Sequence, residues 1–373
     1  MSSSLVSHLA RRGIEITAYG GQGPQQFTLP TWGAVLIGAT IFSFFIAMGM
    51  VEYTFGRLIP TLVMIESPQD SIVFEPLPTE DTDVDASMNK TPELEVIKPR
   101  PITSSFKTTI QHLRSKGGRR ASFRGFSIFF ITQILVGWTA QLLSFLPFFR
   151  GLASVVATVV FAQFYLAWNH IVISEPSPKP WYRRLPARST WRKVAAPTAI
   201  AALAESAAVY IPLYLGIAMG LGDRTAPNIS QLSSHEQRMV ICKGVGLFIL
   251  AIILAFSLVI PAAVSLTRVQ ASLLSDNEET IVPFDRSFGG KVIPEIVGGT
   301  GVVGMLDAWK TFDWSARIRL VKAYAKFVAI QVALIVFFTA VVFAQLTMII
   351  GAKDLKKIVK EKCGGATGHA SLA

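Results

Sequence analysis

The chain has 373 residues, of which 51% are hydrophobic and 16% charged, with 25 Phe and a formal net charge of +11. A soluble globule carries about 25% charged residues, so this balance argues against one. The Lys and Arg lie between apolar blocks, which points to loops facing an anionic membrane surface rather than to nucleic acid. Cys242 and Cys363 are the two cysteines, too few for a disulfide framework or a Cys-based metal site.

Residues 1–31 form an N-terminal polar segment with Arg11 and Arg12, several serines and no apolar core, so they do not read as a secretory signal. Six apolar blocks follow, each near the roughly 20 residues that a membrane span needs. Block one runs from Trp32 to Ile65 and contains Arg57 and Pro60, so it must tilt, kink or extend beyond a bilayer. Blocks two and three, Gly125 to Phe149 and Gly151 to Ile173, are separated by almost nothing and read as a tight helical hairpin around Pro147 to Arg150. Blocks four to six are Ala195 to Leu221, Val240 to Leu266 and Phe327 to Ile350. Lipid offers the backbone no hydrogen-bond partner, so each block must be helical. The expected fold is an all-α polytopic membrane protein with six transmembrane helices in three hairpins, the bundle of blocks two to six covering residues 125–350.

The loops alternate in kind. Residues 66–124 begin as a Pro-rich acidic stretch, 66–104, that reads as disordered, then turn basic from Lys107 through Arg124 in a segment that suits an interfacial amphipathic helix. Two further long loops are expected at 174–194 and 267–326, and the tail 351–373 is basic. The three long loops hold 23 of the 35 Lys and Arg, so their side is expected to be the inner one.

The second and third hairpins share local detail: Pro180-Trp181-Tyr182-Arg183 is placed like Pro283-Phe284-Asp285-Arg286, and Trp191 and Trp314 each precede a basic stretch and a span. Block five ends Pro261-Ala262-Ala263-Val264-Ser265-Leu266-Thr267-Arg268-Val269-Gln270. In layout, and in the Pro and the Thr-Arg-Val-Gln of this segment, the chain resembles the mitochondrial carrier family. That family places an acidic residue two positions after the Pro and a basic one three further on; here those positions are Ala263 and Leu266. The resemblance implies a degenerate carrier without the usual ion-pair gate. The whole chain also resembles a group of fungal polytopic membrane proteins labelled as ubiquitin carriers. The His-Pro-Asn turn and the Cys nucleophile that ubiquitin conjugation requires have no counterpart here.

Ionisable groups within spans are costly and mark functional positions by default. Glu52, Arg57, His170, Glu205 and Arg268 make up the candidate intramembrane site, with Glu52 and Glu205 suited to a cation or proton and Arg57, His170 and Arg268 to an anion. The structural alternative is pairing between neighbouring helices for the glutamates, and snorkelling to the interface for Arg57 and Arg268. Gly216 and Gly220 form a GxxxG that would let block four pack closely on another helix. Gly299-Thr300-Gly301-Val302-Val303-Gly304 spells GxGxxG, but a dinucleotide site needs a preceding strand and a βαβ sheet, so a flexible or re-entrant loop is expected. Arg119-Arg120-Ala121-Ser122 resembles a basophilic kinase sequence, Asn89 and Asn228 head glycosylation sequons, and Cys363 is placed for palmitoylation.

No catalytic motif, metal cluster or cofactor signature appears, so an enzyme is not expected. Membrane lipids and a small solute are the expected partners. The functional expectation is a small-solute transporter in the mitochondrial inner membrane, the endoplasmic reticulum or the plasma membrane. The alternative is a non-transporting adaptor whose basic loops bind lipid or protein, in a packed bundle without a polar cavity.

Overall fold

The computed structural model describes residues 30–67, 101–149, 151–221, 233–275, 277–293 and 297–351. Most of the acidic Pro-rich stretch, Asn89, Asn228, Cys363 and the basic tail lie outside them.

The described residues are helical, apart from turns and one isolated antiparallel bridge between Ser174 and Thr280. The helices are α1 (Thr31–Val51), α2 (Ile59–Ile65), α3 (Phe106–Gly117), α4 (Phe126–Ser144), α5 (Ala153–Val160), α6 (Ala162–Ile173), α7 (Thr190–Ala218), α8 (Ser234–Leu254), α9 (Ile260–Ser272), α10 (Met305–Lys310) and α11 (Trp314–Ile350). Five helical stretches are long and apolar enough to cross a membrane, or six if α5 and α6 count as one bent span. Their outer faces carry large apolar side chains in the open, among them Phe42, Phe45, Trp138, Phe248, Ile253, Phe337 and Phe343. Aqueous surfaces do not hold apolar area on that scale without a partner.

These long helices depart from straight geometry where the sequence forces them to. Pro60 and Pro261 each lack an N–H and crowd the carbonyl four residues back. In both places the helix widens into a π-segment just upstream, Glu52–Leu58 before Pro60 and Ala255–Val259 before Pro261. Such widening is a standard way to absorb a break in the ladder. Thr61 helps by donating its hydroxyl to the Arg57 carbonyl at 2.9 Å. Block three breaks without a proline: α5 and α6 meet at Phe161 with a bend of 60°.

Several expected boundaries shift. Helix α9 continues to Ser272 and α11 begins at Trp314, while α7 begins at Thr190. The long loops are therefore shorter than residue type alone suggested, because polar and basic residues continue apolar helices past the bilayer-length core. The basic segment does form a helix, α3, started by Ser105, whose Oγ accepts from Thr108 N in a capping box. His112 on α3 meets the Ile281 carbonyl at 2.8 Å, and Leu113 is buried, so α3 packs on protein.

The chain divides into two compact units. One contains residues 30–52, 212–250 and 326–351 of the described chain. Within it, α1 runs antiparallel to the distal half of α11, with Gly33 against Ile349, Gln345 donating to Thr40 Oγ1 at 2.7 Å and Phe44 against Phe338. Gly216 lies against Leu247, and Lys243 donates to the Met219 carbonyl at 3.0 Å at the end of α7. Gly220 plays a different part from the one its GxxxG spacing suggested. Its φ is +73°, and the bonds Leu221 N to Gly216 O and Gly220 N to Ile217 O close a Schellman turn that terminates the helix.

The second unit comprises residues 53–211 and 251–325 and holds the main hydrophobic core. Here the distal parts of blocks one, three and five, namely α2, α6 and α9, pack on one another in a triangle, and α4 packs on both α5 and α6.

Candidate functional site

The α2–α6–α9 triangle is sealed at its loop end by buried polar bonds. Arg268, 4% exposed, donates to the Met64 carbonyl at 3.1 Å and to Thr311 Oγ1 at 3.0 Å, with its guanidinium over the Phe288 ring at 4.8 Å. Asn169 donates to Gln270 Oε1 at 2.9 Å and to the Thr267 carbonyl at 3.2 Å. The His170 Nε2 is 2.8 Å from the Gln270 carbonyl. These bonds join blocks one, three and five, so they fix the relative positions of α2, α6 and α9. Glu66, just past α2, accepts from Ile102 N at 2.6 Å and from Thr103, and returns the chain from the first long loop to the bundle.

On the other side of this layer lies a cavity of about 260 Å³. Its walls are helical stripes. Block one supplies Arg57, Pro60, Thr61 and Met64, and α7 supplies Thr198, Ala201, Ala202 and Glu205, both at the i, i+3, i+4, i+7 spacing that puts residues on one helix face. The π-segment and α9 supply Val259, Ala263, Leu266, Thr267 and Gln270. Gln133 comes from α4, Thr158 from α5, Tyr165 and Trp168 from α6, and Tyr324 from α11. Small residues at Gly56, Ala201, Ala202 and Ala263 leave the space, and hydroxyl, amide and charged groups line it. Gln270 is 4% exposed, and its Nε2 is buried with no hydrogen-bond partner among the described residues.

Of the five ionisable residues singled out in the sequence, Arg57 and Glu205 come together in this cavity. Glu52 falls in the first unit, where it accepts from Gln331 Nε2 at 3.0 Å. His170 and Arg268 belong to the sealing layer. Arg268 does not snorkel, because its stem and head are enclosed by Phe288, Phe312 and Thr311. Charge alone missed Gln133, Thr158, Tyr165, Thr198 and Gln270; the available signal was the recurrence of polar residues at helical spacing inside apolar blocks. Ser122 is 8% exposed in a 3-10 turn, a placement that does not offer its hydroxyl to a kinase. Among the described residues no strand precedes the GxGxxG segment, and Gly304 stands at the N-terminus of the six-residue α10.

Scans of protein-family models, of curated proteins and of solved structures each return no match to this chain.

Proposed function

We propose that the chain is a multi-pass integral membrane protein that binds a small polar solute between its helices and moves it across the membrane. The observation that carries this reading is the cavity holding Arg57 and Glu205 among apolar spans. Both side chains line the hollow and are exposed there, and charged groups set within apolar spans mark ion or solute paths by default. Arg57 suits an anionic or carbonyl group of the solute, and Glu205 suits a cationic group or a coupling proton. The breaks at Pro60, Phe161 and Pro261 fall in the same three blocks that the sealing layer joins, which gives those blocks points at which to bend. The carrier-like layout agrees with this reading, although the usual gate charges are absent. The adaptor reading requires a packed centre, which the cavity disfavours.

The test is carbonate extraction of membranes, followed by cysteine labelling of Ala263→Cys in a variant with Cys242 and Cys363 replaced. A membrane-impermeant charged thiol reagent should label the cavity cysteine, and added Arg57→Gln and Glu205→Gln substitutions should alter the rate. Release by carbonate would sink the integral-membrane reading. A cavity cysteine inert from both sides of sealed vesicles would favour the adaptor.

A further inference from the structure

A second cavity, also about 260 Å³, sits where α4 begins, and it shares no residue with the solute cavity. It is lined by Arg120, Arg124, Lys179 and Arg184, with Ser127 and Trp181 beside them, and no acidic side chain lines it. Arg124 and Arg184 converge on one residue: Arg124 donates to the Ser174 carbonyl, and Arg184 donates to Ser174 Oγ at 2.7 Å. Two guanidinium groups are thus held close together. The nearest carboxylates, two beside four cations, offset the cluster only in part. Glu278 pairs with Arg184 at 3.1 Å, and Glu175 pairs with Lys116 at 2.7 Å. The Nε of Arg124 is buried and has no hydrogen-bond partner among the described residues.

The backbone adds to the same field. Gly125 precedes α4 with φ +72°, and no side chain caps the helix. The first turn of a helix leaves N–H groups without intrahelical partners and carries the positive end of the dipole. Ser127 and Ile128 of that turn line the cavity. Four cations, an uncapped 19-residue helix and a serine hydroxyl around one hollow match the chemistry of a phosphate group. The hollow also lies at the polar end of the apolar stretch Arg119–Ser144, with Trp181 at its rim, which is the level of lipid headgroups for a spanning helix.

We propose that this pocket binds a phosphate group, most directly the exposed phosphate of an anionic phospholipid. The proposal rests on the membrane reading but not on solute transport. It makes the pocket a fixed lipid site that clamps the turns before α4 and after α6, through the four cations they supply.

The test uses the full chain purified in neutral detergent, with thermal unfolding followed against phosphatidic acid, phosphatidylcholine and inorganic phosphate. Phosphatidic acid should raise the unfolding temperature by several degrees and phosphatidylcholine should not. The double variant Arg120→Gln, Lys179→Gln alters two exposed side chains, so it should unfold normally without lipid and need at least fivefold more phosphatidic acid for the same shift. The control Lys291→Gln, Lys310→Gln should respond like the parent. An equal response to inorganic phosphate, lost in the same double variant, would keep the site and make free phosphate its source. No shift with either ligand, or an equal loss in the control variant, would overturn the proposal.

Discussion

Replacing Arg268 with alanine tests whether this residue locks the bundle or serves the cavity. The guanidinium donates to the Met64 carbonyl at 3.1 Å, the Thr311 carbonyl at 3.3 Å and Thr311 Oγ1 at 3.0 Å, and lies over Phe288 at 4.8 Å. Hydrogen bonds to a charged group contribute about 1.5–3 kcal/mol each, and a desolvated cation–π contact about 2 kcal/mol. Removing the guanidinium also removes its own desolvation cost, which is several kcal/mol. The difference leaves a loss of about 3 kcal/mol, and buried carbonyls of Met64 and Thr311 without that donor. The assay is thermal unfolding of the purified protein at one scan rate, because many larger proteins unfold irreversibly and their apparent midpoint then depends on scan rate. Arg268→Ala should unfold on the order of 5 °C or more below the parent, using about 2–4 °C per kcal/mol. Arg268→Lys should fall between them, since an ammonium keeps the charge but cannot span both partners as a planar fork does. An Arg268→Ala protein that unfolds within about 1 °C of the parent, yet changes labelling of the cavity cysteine, would refute the lock and return Arg268 to the solute site.

Glu66→Ala removes the acceptor for Ile102 and Thr103 and should cost about 2–4 kcal/mol, read as faster protease cleavage near residues 101–105 together with a lower unfolding temperature. Gly125→Ala meets a φ of +72° and a new Cβ 3.2 Å from Trp168 Cδ1, so it should destabilise by about 1–3 kcal/mol. Gly38→Ala, in the middle of α1 with nothing within 4 Å, should be neutral or slightly stabilising in the same melt. At Asp285, burial pushes the carboxyl upward, but the Ser287 hydroxyl and the Gly289 and Ser287 amides outweigh it and hold the group below its usual range. A depressed folded-state value means that this contribution is present at neutral pH and is lost as pH falls through the folded-state value, below about 4. Asp285→Asn should therefore flatten the acid side of a stability–pH curve, and because Asp285 is exposed the change should be small.

The sequence by itself determined the helical class of the protein and the positions of its long apolar helices. Apolar runs of that length can satisfy their backbone only as helices, whatever packs beside them, and the described helices cover all six blocks. Pro60 and Pro261 likewise announced breaks, because a missing N–H is a local fact. The bend at Phe161 had no such local cause, and only the packed fold produced it. The polar groups depended most on tertiary structure. Arg57, His170, Glu205 and Arg268 are alike as charges or titratable groups within or beside apolar blocks, yet two face a cavity and two are consumed by bonds between α2, α6 and α9. Which occurs depends on what stands opposite each side chain across a helix interface, and linear spacing does not encode that. The phosphate pocket follows the same logic: Arg120 and Arg184 lie 64 positions apart in the chain, and the turns before α4 and after α6 bring them to one hollow.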